Sequence, residues 1–83
     1  MGNDTQKPFS VLDIAKYIIN KCLYAGTPVS NLQLQEILYL IQIEWIKQRG
    51  EILFNSRMVA WQNGVMIPVI YNVYCGYGSG KIL

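Results

Sequence analysis

Apolar residues recur at three- and four-residue steps in the first third of the chain, a spacing typical of an amphipathic helix. The stripe consists of Val11, Ile14, Ala15, Ile18, Cys22 and Leu23. Ser10, with Asp13 three positions on, resembles a capping box at the start of this helix. Gly26 is placed to stop it. The pattern therefore predicts a first helix that starts at Ser10 and ends near Ala25.

The segment SNLQLQEILYLIQIEW is more apolar than a helix with one buried side requires. Ser30 and Gln33 have the spacing of a capping box at its start. The first apolar stripe consists of Leu34, Ile37, Leu38, Ile41 and Trp45, and the residues that widen it are Leu32, Leu40, Ile43 and Ile46. Glu36 and Glu44 interrupt the run well short of the roughly 20 apolar residues of a membrane span. We expect a core helix buried on more than one side.

The pattern changes to short runs after the second helix. Residues 52–54 (ILF) and 57–61 (RMVAW) favour strands, and Asn63-Gly64 is a strong signal for a hairpin turn. Pro68 suits the first turn of a third helix. The expected fold is mainly α: a small helical domain of about three helices, with a short β-hairpin-like element between helices two and three.

The length of the chain allows one domain. We expect a disordered N-terminal segment at 1–9, a single domain at 10–75 and a flexible glycine-rich tail at 76–83. A chain of 83 residues buries only roughly 60 to 65% of the surface that its unfolded form exposes. Yet 52% of the residues are hydrophobic and only 14% are charged. This excess of apolar residues predicts a partner surface and, most simply, a two-fold homo-oligomer.

The chain has no histidine, which excludes Ser-His and Cys-His nucleophile pairs. Cys22 and Cys75 lie outside any C-x-x-C spacing and cannot build a four-ligand zinc site alone. Glu36 and Glu44 could form a carboxylate pair, although exposed helix charges are the commoner arrangement. We predict no enzyme activity, no catalytic residue, no metal site and no cofactor. The polar N-terminus and the two lone cysteines predict a cytoplasmic protein.

Two further motifs have functional interpretations that the surrounding residues weaken. The run GYGSGK, residues 76–81, is one residue short of a phosphate loop and follows a predicted helix rather than a strand. The helix–AGTPVSN–helix order resembles a DNA-binding helix-turn-helix, with Asn31, Gln33 and Gln35 as candidate readers of adenine. However, no basic residue precedes Lys47 in the second helix to hold phosphate. We therefore expect neither nucleic acid nor membrane as a partner.

Four segments in order, SNLQLQEILYLIQIEW, GEILF, VAWQNGVMIPVIY and YGSGKI, resemble the Panacea domain, the SocA-like or GepA-like phage-associated family. The resemblance runs from about Val11 to Ile82. The family-motif residues are Asn31, Leu34, Gln35, Leu38, Tyr39, Leu53, Phe54, Trp61, Gly64, Pro68 and Tyr71. The chain departs from the family at Val65, where a proline is usual, and it ends before the further helices of the family, as a truncated copy does.

The resemblance implies a non-enzymatic protein-interaction module of prophage or mobile-element origin. Panacea-type proteins act as antitoxins that neutralise a cognate toxin, and SocA-like members act as adaptors that deliver a toxin to a protease. The implied partners are therefore a toxin and, for an adaptor, a protease. Two alternatives remain: a self-associating phage accessory or structural protein, and, less favoured, a helix-turn-helix DNA-binding regulator.

Overall fold

A computed structural model describes residues 8–62 and 64–83 of the chain. It contains three α-helices and one antiparallel pair of short strands, which lies between the second and third helices. The elements in chain order are α1 (Val11–Tyr24), α2 (Asn31–Arg49), β1 (Val59–Trp61), β2 (Gly64–Met66), α3 (Pro68–Tyr74) and a 3-10 turn (Cys75–Tyr77). The expected mainly helical fold, with a hairpin between helices two and three, is confirmed.

Both long helices begin where the sequence predicts, because a serine side chain satisfies a free backbone N–H at each start. Ser10 Oγ accepts from the N–H of Asp13 at 3.3 Å. Ser30 and Gln33 form the complete capping box: the N–H of Gln33 donates to Ser30 Oγ at 3.2 Å, and that of Ser30 donates to Gln33 Oε1 at 2.9 Å. Gly26 follows α1 with φ of +78°.

The hairpin pairs Val59 with Met66 and Trp61 with Gly64. Gly64 has φ of +120°, a backbone conformation that residues with a Cβ rarely adopt. This positive φ suits the hairpin turn that the sequence predicts here, while Asn63 of that turn lies outside the described residues. Pro68 occupies the first helical position of α3, as predicted.

The segment 52–54 does not form the short strand that its composition favours. Phe54 makes a single parallel bridge with Phe9, and the N–H of Phe9 donates to the carbonyl of Leu53 at 2.8 Å. Gln42 of α2 also binds the backbone of this segment. Of the segment 1–9, which is predicted to be disordered, residues 1–7 lie outside the described residues.

The core lies between α1, α2, α3 and the segment around Phe54. Leu34 and Leu38 of α2 have no exposed surface, and Ile41 and Trp45 are partly buried against the same cluster. The core residues are Val11, Ala15, Ile18, Ile19, Val29, Leu34, Leu38, Leu53, Phe54, Ile67, Ile70 and Ile82. Full burial of one such large side chain stabilises a fold by about 1.5 to 3 kcal/mol.

The end of the chain returns to the connection between α1 and α2. Ile82 is only 2% exposed, and its N–H donates to the carbonyl of Val29 at 2.8 Å. Lys81 forms a bridge with Ser30, and its Nζ donates to Gln33 Oε1 at 2.9 Å. These contacts join Lys81 and Ile82 to the rest of the fold, and the flexibility predicted for the segment 76–83 stays a prediction.

Candidate functional site

Three amide side chains of α2 are buried on the face that meets the core: those of Asn31, Gln35 and Gln42. Steps of four and seven residues place all three on one side of a helix. A buried amide without a partner is costly, so each must find hydrogen bonds within the fold. The three together determine which backbone segments can lie against α2.

Gln42 binds the segment that follows α2. Its Nε2 donates to the carbonyl of Phe54 at 2.8 Å, and its Oε1 accepts from the N–H groups of Leu53 at 2.9 Å and Phe54 at 3.3 Å. One buried side chain thus satisfies three backbone groups that no strand or helix satisfies. Gln42 was not among the predicted residues, although its position four residues after Leu38 places it on the buried face of α2.

Gln35 and Asn31 form a chain of hydrogen bonds to the start of α3. The N–H of Ile67 donates to Gln35 Oε1 at 2.7 Å, and Gln35 Nε2 donates to Asn31 Oδ1 at 3.1 Å. Asn31 Nδ2 in turn donates to the carbonyl of Tyr71 at 3.1 Å. Since these amides are buried and paired within the fold, the helix-turn-helix interpretation loses two of the three side chains that would read bases.

Eight of the eleven family-motif residues fall into two groups. Leu34, Leu38, Leu53 and Phe54 lie in the core. Asn31, Gln35, Trp61 and Tyr71 come together around a depression of about 290 Å³ between α2, β1 and α3. The rings of Trp61 and Tyr71 meet edge to face, with centroids 5.6 Å apart. Trp61 and Tyr71 therefore meet at the junction of the hairpin and the third helix.

A second and larger concavity runs along α2, and we call it the Leu40 groove. It has a volume of about 560 Å³ and is lined by Val29, Gln33, Glu36, Ile37, Tyr39, Leu40, Gly64 and Val65. Leu40 is 64% exposed there, although Leu38, two positions earlier, is fully buried. The groove also contains the motif residues Tyr39 and Gly64. Its lining is mainly apolar, which suits contact with another apolar surface.

The ionisable side chains of the described residues form no cluster of metal-binding groups. Among residues 8–62 and 64–83, no group of three or more histidine, cysteine, aspartate or glutamate side chains could hold a metal ion. Burial raises the pKa of the Tyr74 hydroxyl above its ordinary value, and the neighbouring Tyr77 adds to this effect. Within the same residues, no helix is long and apolar enough to cross a membrane.

The fold and its exposed apolar side chains are typical of a small protein-interaction domain. The chain is similar to Antitoxin SocA of Caulobacter vibrioides (strain NA1000 / CB15N), with 32% identity over 81 residues. The alignment covers 95% of this chain and 43% of that protein, so the chain spans less than half the length of its relative. No family model matches the chain, and no solved structure matches it. The similarity supports a SocA-like relationship.

Proposed function

We propose that this chain is a Panacea-type antitoxin module that binds and neutralises a cognate toxin without catalysing a reaction. The observation that supports the proposal is the 32% identity to an antitoxin across 95% of the chain. The prophage or mobile-element origin and the cytoplasmic location belong to the same proposal. Neutralisation by binding requires only a complementary surface, which agrees with a fold rich in exposed apolar groups.

The exposed apolar side chains suit such binding. Leu32 and Trp61 lie beside the depression between α2 and α3, and Tyr39 and Leu40 line the Leu40 groove; all four are exposed. Aromatic and large aliphatic side chains provide most of the binding free energy at protein interfaces. A toxin that covers these residues would remove apolar surface from water, and that removal favours the complex.

The test is co-expression of the full chain with the product of the adjacent reading frame. An antitoxin restores growth of cells that express a toxic neighbour, and the two proteins purify together as one complex. A folded chain that neither restores growth nor binds the neighbouring product contradicts the proposal.

An adaptor role is a more specific form of the same function, in which the chain delivers the toxin to a protease. It is distinguished by the amount of toxin in rescued cells. An adaptor lowers the half-life of the toxin, and loss of the protease restores both toxin and toxicity. A toxin that stays abundant while growth recovers indicates neutralisation by binding alone.

A further inference from the structure

Residues 76–83, which we call the strap, are attached to the core through a single buried side chain. Ile82 is 2% exposed and belongs to the core cluster, whereas every other residue of the strap is exposed. Two hydrogen bonds close within the strap itself: the N–H of Gly80 donates to the carbonyl of Tyr77 at 3.0 Å, and the Tyr77 hydroxyl donates to the carbonyl of Leu83 at 3.1 Å. Movement of the strap as a unit would therefore remove little apolar surface from the core apart from that of Ile82.

The hydrogen bonds that join the strap to the connection before α2 are not needed by that helix. The N–H of Ile82 donates to the carbonyl of Val29 at 2.8 Å, and Lys81 Nζ donates to Gln33 Oε1 at 2.9 Å. Gln33 Oε1 also accepts from the N–H of Ser30 at 2.9 Å, so the capping box is complete without the lysine. Release of the strap would thus leave the start of α2 capped.

The strap also supplies part of the lining of the depression between α2, β1 and α3. Gly78 and Ser79 line this depression together with residues of the other three elements. The part formed by α2 and α3 is fixed, because the buried Asn31 donates from Nδ2 to the carbonyl of Tyr71 at 3.1 Å. The depression therefore has a firmly held part and a part held only through Ile82.

We propose that the strap is a latch that opens while the three helices and the hairpin stay folded, and that its opening widens the depression. Segments with few buried apolar contacts and few buried hydrogen bonds open at a lower free energy than the whole domain. Ile82 holds the latch closed, and the glycines of the strap provide the backbone freedom that opening requires. Gly78 already has a φ of +59° in the closed state. The inference goes beyond the proposed function and does not depend on it.

Hydrogen exchange of the unchanged full chain, followed by NMR at increasing denaturant below the unfolding transition, tests independent opening. After correction for intrinsic rates, the N–H of Ile82 should exchange about a hundredfold faster than that of Ile67, which donates to the buried Gln35. The Ile82 rate should depend weakly on denaturant, because opening of the strap exposes little surface, whereas the Ile67 rate should rise steeply. Equal protection with equal denaturant dependence at the two positions would overturn the proposal.

A variant that removes the anchor tests whether the strap covers the depression. Ile82→Ser should release the strap, and Leu83→Ser is the matched control, since Leu83 is the next residue and is 76% exposed. Relaxation of the Trp61 indole N–H by a soluble gadolinium chelate should increase in Ile82→Ser and stay unchanged in Leu83→Ser. The N–H of Ile67 should remain protected in both variants.

Two results with Ile82→Ser would contradict the latch. Loss of protection at Ile67 would show that the strap belongs to the same cooperative unit as the core. A released strap with unchanged relaxation at Trp61 would show that it does not cover the depression. Exchange measured at low and high chain concentration adds a further check: protection of Ile82 that rises with concentration would indicate straps exchanged between copies, which also overturns a latch within one chain.

Discussion

Each of the two sides of α2 carries side chains that depart from the usual distribution. One side buries the amides of Asn31, Gln35 and Gln42, and the other leaves Leu40 largely in water. The buried amides bind backbone groups of other segments, so polarity on that side serves the fold. The exposed leucine adds little to the fold, and its side leaves apolar surface in contact with water. Burial of the amides thus serves the structure, whereas burial of Leu40 does not.

The strongest test of the comparison is Gln42→Leu, which replaces a buried amide by an apolar side chain of similar size. It should lower the free energy of unfolding by about 3 to 6 kcal/mol, because three buried backbone groups of Leu53 and Phe54 lose their partner. Denaturant unfolding measures the effect. Gln48→Leu, an exposed change on the same helix, is the control and should shift stability by no more than about 0.5 kcal/mol. Similar effects from both would show that the Gln42 contacts do not hold the segment.

Alanine substitutions of two leucines allow a direct comparison of how much each side of α2 contributes to stability. Leu38→Ala should cost about 2 to 5 kcal/mol because it leaves a cavity in the core. Leu40→Ala should change stability by no more than about 0.5 kcal/mol, since Leu40 is exposed. Thermal or denaturant unfolding of the two variants gives the answer, and an unchanged midpoint for Leu38→Ala would refute its place in the core.

A substitution at the hairpin turn beside the Leu40 groove should have a smaller effect on stability. Gly64→Val should destabilise the fold by about 1 to 3 kcal/mol, because valine is strained at a φ of +120°. There is open space around the glycine, so the cost comes from the backbone and not from a clash. Gln62→Val, at an exposed position of the same turn, should cost less. Equal small effects would place the turn elsewhere.

The smallest expected effect concerns self-association of the unchanged chain, which stays a prediction. If the exposed apolar side of α2 pairs with its own copy, the sedimentation coefficient should rise over about a hundredfold increase in concentration. Leu40→Ser should reduce that rise without changing the unfolding midpoint. A monomer at every concentration, with no binding of a hydrophobic dye, would show that this surface does not pair with itself.

Sequence reasoning succeeded where a feature depends on neighbours along the chain. The helix caps at Ser10 and Ser30 depend only on a serine side chain that lies two or three residues before a free backbone N–H. The position of Pro68 depends only on the preference of proline for the first residue of a helix. Gly64 was predictable because a tight hairpin turn requires a positive φ. The positions of Leu34 and Leu38 in the core follow equally from helical spacing.

The features that sequence reasoning missed depend on partners that are remote along the chain. Helical spacing places Gln42 on the buried face of α2, but only the approach of Leu53 and Phe54 gives its amide hydrogen-bond partners. Ile82 similarly becomes a core residue because the chain returns to Val29. The pattern of neighbouring residues contains no information about which distant segment will lie against Gln42 or Val29.

The amide contacts of α2 also have a consequence for how the domain opens. Asn31 and Gln35 join this helix to residues 40 and 32 positions later, and Gln42 joins it to residues 11 and 12 positions later. The N–H groups of Leu53, Phe54 and Ile67 lie outside helices and strands, yet each donates to a buried side chain. Their hydrogens should therefore exchange with solvent as slowly as those in the middle of α2, through opening of the whole domain rather than through motion of single loops.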